Sequence, residues 1–500
     1  MSATFKENDR HIYPRWRSFS STLRLGELAS PSTEKEIDTS ALDISLARGI
    51  AEWEMGPSLW KGLDLLGTAT VAGKLDSFST LVAEIRQNPS VPKFICGVID
   101  KMGQTHSAQL EQSHSDDTVE LAASRDIRQY RSSLIVTPRN PIAWMDLARA
   151  YTIVGSNGKA ERAVLAALQL APNNRHILRS AARFLIHVGE KDAARSLLGR
   201  NPIATLDPWV MASEIAISDS LGKTSRLTKL AQTRIEQDLP PSELTELASA
   251  LGSLEAENGN HRRARKLLRQ ALQGANENSV AQIRWLNRAH LGDSVDVSHA
   301  NPPLLHEANA WSAFHKGDFK IAKDEALHWL QDQPFASAPA WLSTYIVSEI
   351  FLDFRLGKDI ALAGLKSNPD DPLLLNNLAV CRLELGELDE AAVALSRLKQ
   401  EDIASKTDIT YKATFGMFEF RKGNHSEGRR LYSEAIEYAK NLGDKIRALR
   451  ATFHLVFEEI LANTSHIEDA IQKLGEFEMP ADFKEATHFL QRLDALRSHR

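Results

Sequence analysis

Two apolar-periodic stretches, joined by a glycine-bearing turn and closed by a proline, recur along this chain and leave it few possible folds. In the clearest copy, Pro141 to Asn174, the residues Trp144, Leu147, Ala148 and Tyr151 fall at helical spacing, followed by Ala160, Val164 and Ala167, with Pro172 at the end. Between the stretches, Gly155 to Gly158 reads as a turn, because glycine reaches positive φ without steric cost and Ser156 and Asn157 extend a helix poorly. The unit is therefore a helix, a tight turn and a helix. A second copy, Pro372 to Asp402, places Leu375, Leu378, Ala379, Gly386, Ala391, Leu395 and Leu398 at matching offsets, and Trp341 precedes Leu375 by 34 residues. Looser copies are marked by Leu251, Gly259 and Ala264, by Ala310, Gly317 and Trp329, and by Phe415, Gly416, Gly423, Tyr432 and Ala435. One such pair cannot bury its own apolar face, so the units must stack into a core that is continuous along one axis.

The order of a large residue, Leu-Ala, Tyr, small residues on the second helix and a closing Pro resembles the tetratricopeptide repeat. The resemblance implies an all-α, right-handed α-solenoid of helix-turn-helix repeats, in which small residues such as Ala148 and Ala379 let helix backbones approach closely. It also implies a concave groove lined by the first helix of each repeat, the surface on which members of the family hold peptides or partner helices. Expected partner-binding positions are the first-helix residues Met145, Arg149, Thr152, Asn376, Asn377 and Val380, taken as exposed. One mode in the family clamps a terminal carboxylate with Lys and Asn; Asn377 matches one such place, but Leu342 and Ile346 stand where Lys and Asn are wanted.

The punctuation of the sequence suggests five segments: an N-terminal arm at 1–40, a degenerate helical region at 41–101, repeats at 117–290 and 304–475, and a C-terminal cap at 476–500. Within the second, Pro57 to Gln87 carries two periodic stretches around Gly73. The polar run Met102 to Asp117 and the cluster of Gly292, Asp293, Asn301, Pro302 and Pro303 form the two breaks. The last helix is expected over about Pro480 to Ser498, with Phe483, Ala486, Phe489, Leu490, Leu493 and Leu496 on its apolar side.

Chemistry finds little purchase. Gly67 to Lys74 has five intervening residues where a phosphate loop needs four, and Leu75 stands where Ser or Thr is required. His306, Glu307 and His315 do not have the spacing of a zinc protease helix, and His261, His328, His454 and His488 look isolated. Cys96 and Cys381 are the only cysteines, so no disulfide framework or four-thiolate site can form, and both read as buried thiols. The expectation is a non-enzymatic protein without cofactor or metal. With 60 basic and 65 acidic residues the chain has no global field to draw nucleic acid. The start lacks the apolar stretch of a secretory signal, and no later run approaches the length of a membrane span, so a cytoplasmic location is expected.

Two basic features remain. The run Arg10, His11, Tyr13, Pro14, Arg15, Trp16, Arg17 mixes cations with aromatics outside any clean repeat, and suits docking to a partner protein or nucleic acid; packing on its own first repeat, with Trp16 buried, is the other reading. His261, Arg262, Arg263, Arg265, Lys266 and Arg269 form either a binding patch or a solvated convex face. The function expected is a protein-protein interaction scaffold or adaptor that binds a partner protein in its groove. The alternatives are a nucleic-acid-associated helical-repeat protein, which would use both basic features, and a sensor or adaptor subunit of a multicomponent bacterial system such as phage defence.

Overall fold

The computed structural model describes residues 10–18, 39–55, 59–71, 74–87, 119–398 and 408–498, and among these no strand forms. They belong to two compact units, one made of the arm together with everything from Val119 onward, the other of the helices between residues 39 and 87. The smaller unit holds α1 (Thr39–Met55), α2 (Leu59–Val71) and α3 (Ser79–Gln87), which close on Leu46, Leu65, Leu66, Ala69, Leu81 and Ile85. The turn expected at Gly73 and the polar run Met102 to Asp117, like Cys96, lie outside the described residues.

In the larger unit α4 (Val119–Val136) leads into helix pairs: α5 (Pro141–Ile153) with α6 (Asn157–Leu170), α7 (Arg175–His187) with α8 (Lys191–Arg200), α9 (Pro208–Ser220) with the short α10 (Thr228–Arg234), and α11 (Pro241–Glu257) with α12 (His261–Leu272). Next, α13 (Glu277–Leu286) runs into a π-turn and a loop instead of a second helix. The pairs then resume as α14 (His306–Lys316) with α15 (Phe319–Asp332), α16 (Ser337–Tyr345) with α17 (Phe354–Ser367), and α18 (Pro372–Glu384) with α19 (Leu388–Ser396). After them come α20 (Asp408–Arg421) with α21 (His425–Asn441), α22 (Lys445–Leu461) with α23 (Ile467–Gly475), and finally α24 (Ala486–Ser498). The loop around Gly292 to Pro303 does not divide this unit, since Val280 and Ala281 pack with Leu305 and Ala308 across it.

Local chemistry sets the boundaries. Asn140, Asp207 and Asp371 each accept two backbone N–H groups of the helix they precede, and the prolines that follow occupy a first-turn position that needs no donor. The turns between paired helices use glycine in the left-handed region, with φ of 71° at Gly155 and 77° at Gly386. Second helices bury a single stripe, as α12 does with Ala264, Leu267, Leu268 and Ala271, so the basic cluster of this helix faces solvent except where Arg263 pairs with Glu255 at 3.2 Å. First helices are buried nearly all round: in α11 every residue from Leu244 to Ser253 is buried, and in α22 every residue from Ala448 to Ile460. Flanking repeats and the second helices cover three sides of such a helix. Its fourth side faces the inside of the array, and the chain itself covers that side.

The first turn of the array closes on itself. Ser367 Oγ, at the end of α17, donates to the Ile153 carbonyl of α5 at 2.8 Å, and Arg149 Nη2 donates to the Asp332 carbonyl at 3.0 Å. At the other end, the expected cap is corrected. The last helix starts at Ala486, not Pro480, and it lies across the inner face of α16, α18 and α22. Phe483, Phe489 and Leu493 are buried there, while Leu490 is 42% exposed, because the concave surface wraps only part of the helix.

Candidate functional site

The inner groove of the first turn holds residues Arg10 to Ser18, which have no regular secondary structure. Trp16, with no exposed surface, sits between Phe184 of α7 and Phe335 of the loop after α15, at ring separations of 6.2 and 5.4 Å. Ile12, equally buried, joins the core formed by α7 to α13. The three arginines of the arm each find carboxylates. Arg10 donates through Nε and Nη2 to the two oxygens of Glu307, at 2.9 and 3.1 Å. Arg15 pairs with the same carboxylate. Arg17 grips Asp332 with Nε at 2.6 Å and Nη2 at 2.8 Å, and its Nη1 reaches Glu277 at 2.6 Å. Such two-pronged contacts fix orientation as well as charge.

The arm's backbone is held as well. On one face of α13, Asn278 Nδ2 donates to the Tyr13 carbonyl at 2.9 Å and Gln282 Nε2 to the Arg10 carbonyl at 2.8 Å; from α5, Arg149 Nε donates to the Trp16 carbonyl at 3.2 Å. These side chains are themselves anchored, Asn278 to Glu246 and Gln282 to Ser253. His11 lies 3.2 Å from Asp219, and Lys191 stands over the Tyr13 ring.

The electrostatics follow from burial and pairing. Burial works against the charge of Glu307, but Arg10 and Arg15 outweigh it and hold the carboxyl well below the usual carboxylate range. Burial likewise opposes ionisation of Asp332, and Arg17 reverses the balance. Behind the arm, Arg183 lies over Phe335, and burial together with the neighbouring Arg15 brings its guanidinium down to about 10. Burial and then Arg183 push His187 down to about 4.

The next stretch of groove is filled by the C-terminal segment. Glu485, 3% exposed, accepts from the Tyr345 hydroxyl at 2.8 Å and pairs with Arg450; Arg492 Nη2 reaches Glu384 at 2.6 Å; and Phe489 stacks among Phe453, Phe457 and Phe483. Guanidinium, carboxylate and aromatic groups thus line both of these stretches of the groove.

Comparison with known proteins agrees with this reading of the repeats. The family profile described as tetratricopeptide repeat matches residues 353–405, which take in α17 and α18–α19. That stretch carries tetratricopeptide repeats. No curated protein matches the chain. Among solved structures, the repeat protein is similar to the crystal structure of yeast Tom70, with 12% identity over 79% of this chain and 96% of that one and a TM-score of 0.30. It is also similar to the structure of Naa15/Naa10 bound to HypK-THB, with 12% identity over 88% of each chain and a TM-score of 0.25.

Of the first-helix positions expected on the surface of the groove, none is exposed. Met145, Thr152 and Asn376 have no accessible surface, Asn377 and Val380 retain 4%, and Arg149 retains 9%. Met145 lies in the core that also takes in Trp16, Phe184 and Phe335, and Thr152 Oγ1 turns back to the Ala148 carbonyl at 3.0 Å. Asn377 is spent on the Trp341 carbonyl at 3.3 Å. Arg149 does reach the groove, where it holds the arm. Arg15, Trp16 and Arg17 are brought together with it, and Trp16 is buried in a core that joins Met145 and Ala148 of the first repeat to Phe184 of α7 and Phe335. The groove residues that sequence reasoning missed are Glu277, Asn278, Gln282, Glu307 and Asp332. A signal existed for two of them, since Asn278 and Gln282 stand four apart on a helix whose neighbouring positions, Val280, Ala281 and Ile283, are apolar.

His328 is not isolated. With His306 and Glu325 it forms a group whose ligand atoms all lie within 4.8 Å of one another, and a second such group joins His11, Asp219 and Glu257. In the first, His306 and Glu325 are hydrogen-bonded at 2.7 Å, which accounts for their approach. Cys381 is buried, and burial followed by Glu349 raises its thiol to about 12, so it stays protonated and inert. No helix among the described residues is long and apolar enough to cross a membrane.

Proposed function

We propose that this protein is an adaptor that works by binding, not catalysis, in the cytoplasm, and that its inner groove takes a segment of a partner protein. The observation that carries this reading is the treatment of residues 10–18. Three side chains of the groove bond the arm's backbone carbonyls, an interaction any polypeptide can make, while an aromatic pocket and three carboxylates read its side chains. Buried aromatic and arginine anchors are the contacts that dominate protein-protein affinity. The nucleic-acid alternative loses its main support, because the arm's arginines are paired inside the groove instead of standing beside the exposed cluster on α12.

The test is selection of random displayed peptides on the full chain carrying R10A/R17A, which loosens the arm. Peptides should be enriched, and E307Q/D332N in the same background should abolish their binding. Failure to enrich any peptide, or indifference of the selected peptides to the groove substitutions, refutes the reading.

A further inference from the structure

We infer that the partner segment recognised by the first-turn groove is cationic and aromatic, with arginines flanking a tryptophan, and that residues 10–18 are a resident copy that such a partner must displace. This inference rests on the adaptor reading above and adds the chemistry of the ligand. The groove is selective for that chemistry. Glu277, Glu307 and Asp332 are only 12–16% exposed at their side chains with the arm in place, and each has an arginine of the arm within ion-pair distance. A segment that covered these carboxylates without supplying cations would leave them buried and unpaired, so a groove holding an uncharged peptide is disfavoured. The pocket between Phe184 and Phe335 is filled by one indole, whose Nε1 makes no hydrogen bond, so it selects a large flat apolar group by shape. The backbone contacts come from side chains, which can release one segment and accept another without refolding a helix.

Because the arm is tethered, it competes at high effective concentration, and a free peptide meets a groove open for only a fraction of the time. The experiment uses a fluorescently labelled peptide, Arg-His-Ile-Tyr-Pro-Arg-Trp-Arg-Ser, titrated into the full chain and followed by anisotropy. R10A/R17A should bind it at least about tenfold more tightly than the wild type, because weakening the arm raises the open fraction. Replacing the peptide's tryptophan by alanine, or adding E307Q/D332N to the protein, should remove binding. If R10A/R17A does not fold, R17K serves instead, since it keeps the charge but cannot hold Asp332 two-pronged and Glu277 at once. Equal affinity for wild type and loosened chain overturns the inference, as does binding that ignores the tryptophan or the groove carboxylates. If selected peptides bind the groove but this one does not, the ligand chemistry fails while the adaptor reading stands; if neither binds, both fail.

Discussion

Replacing Trp16 by alanine removes the largest fully buried side chain among the described residues. An indole buries on the order of 200 Å² of mainly apolar surface, which at ~25 cal/mol per Å² amounts to ~5 kcal/mol. Large-to-small substitutions of buried tryptophan cost about 3–5 kcal/mol, the same range. No hydrogen bond of the side chain is lost, since Nε1 has no partner, and the Trp16 carbonyl can keep its bond from Arg149. The whole loss should therefore be packing. The arm has no helix of its own, so it can escape that loss by leaving the groove, and the fall in global stability cannot exceed the free energy with which the arm docks. Two assays together separate the cases. Urea unfolding reads the global loss, and tryptic cleavage after Arg15 and Arg17 reads release of the arm. A docked but weakened arm lowers the unfolding midpoint with cleavage unchanged, whereas a released arm is cut rapidly while the midpoint falls less. A variant with wild-type midpoint and wild-type resistance to trypsin would refute the burial of Trp16 in the groove.

Closure of the first turn is tested by comparing two glycines. Gly155 and Gly386 both have positive φ, so alanine costs about 1–2 kcal/mol at either, but only at Gly155 would the new Cβ collide, 2.1 Å from the Lys366 carbonyl oxygen. G155A should lower the melting temperature clearly more than G386A, and equal effects would show that α5 and α17 do not meet. Glu485 is buried with Arg450, so E485A should cost about 3–5 kcal/mol by leaving the guanidinium unpaired, whereas E427A, which breaks the exposed pair with Arg430, should leave the urea midpoint unchanged. Acid should destabilise the fold in two stages. Burial, then Arg183 for His187 and Arg288 for His315, depress both histidines to about 4, so the unfolded chain takes up protons below ~6.5 that the folded chain refuses, and stability falls from there toward pH 4. Glu307, which burial opposes but Arg10 and Arg15 hold well below the usual carboxylate range, contributes stability that is present above the unfolded carboxylate value and is lost as pH falls through the lower folded value. A urea midpoint constant between pH 7 and pH 4 would contradict the first stage.

What the sequence determined by itself is the repeat. Helical spacing, the Asx-Pro starts at Asn140 and Asp371 and the turns at Gly155 and Gly386 are properties of neighbouring residues, and a signal confined to one helix pair survives without knowledge of the rest of the chain. The burial of Ala148, Ala160, Ala379 and Ala391 was legible for the same reason. Only the tertiary structure decided what fills the groove. Arg10 and Glu307 are 297 residues apart, and Tyr345 and Glu485 are 140 apart. Nothing local to Arg10 singles out Glu307 among 65 acidic residues. Pairings of that kind depend on how far each repeat rotates relative to the last, a small angle that accumulates along the solenoid until α17 returns to α5 and the two termini face the inner helices. The first-helix positions of the repeats were therefore readable as positions, but whether they meet solvent, a neighbouring repeat or the chain's own arm was not.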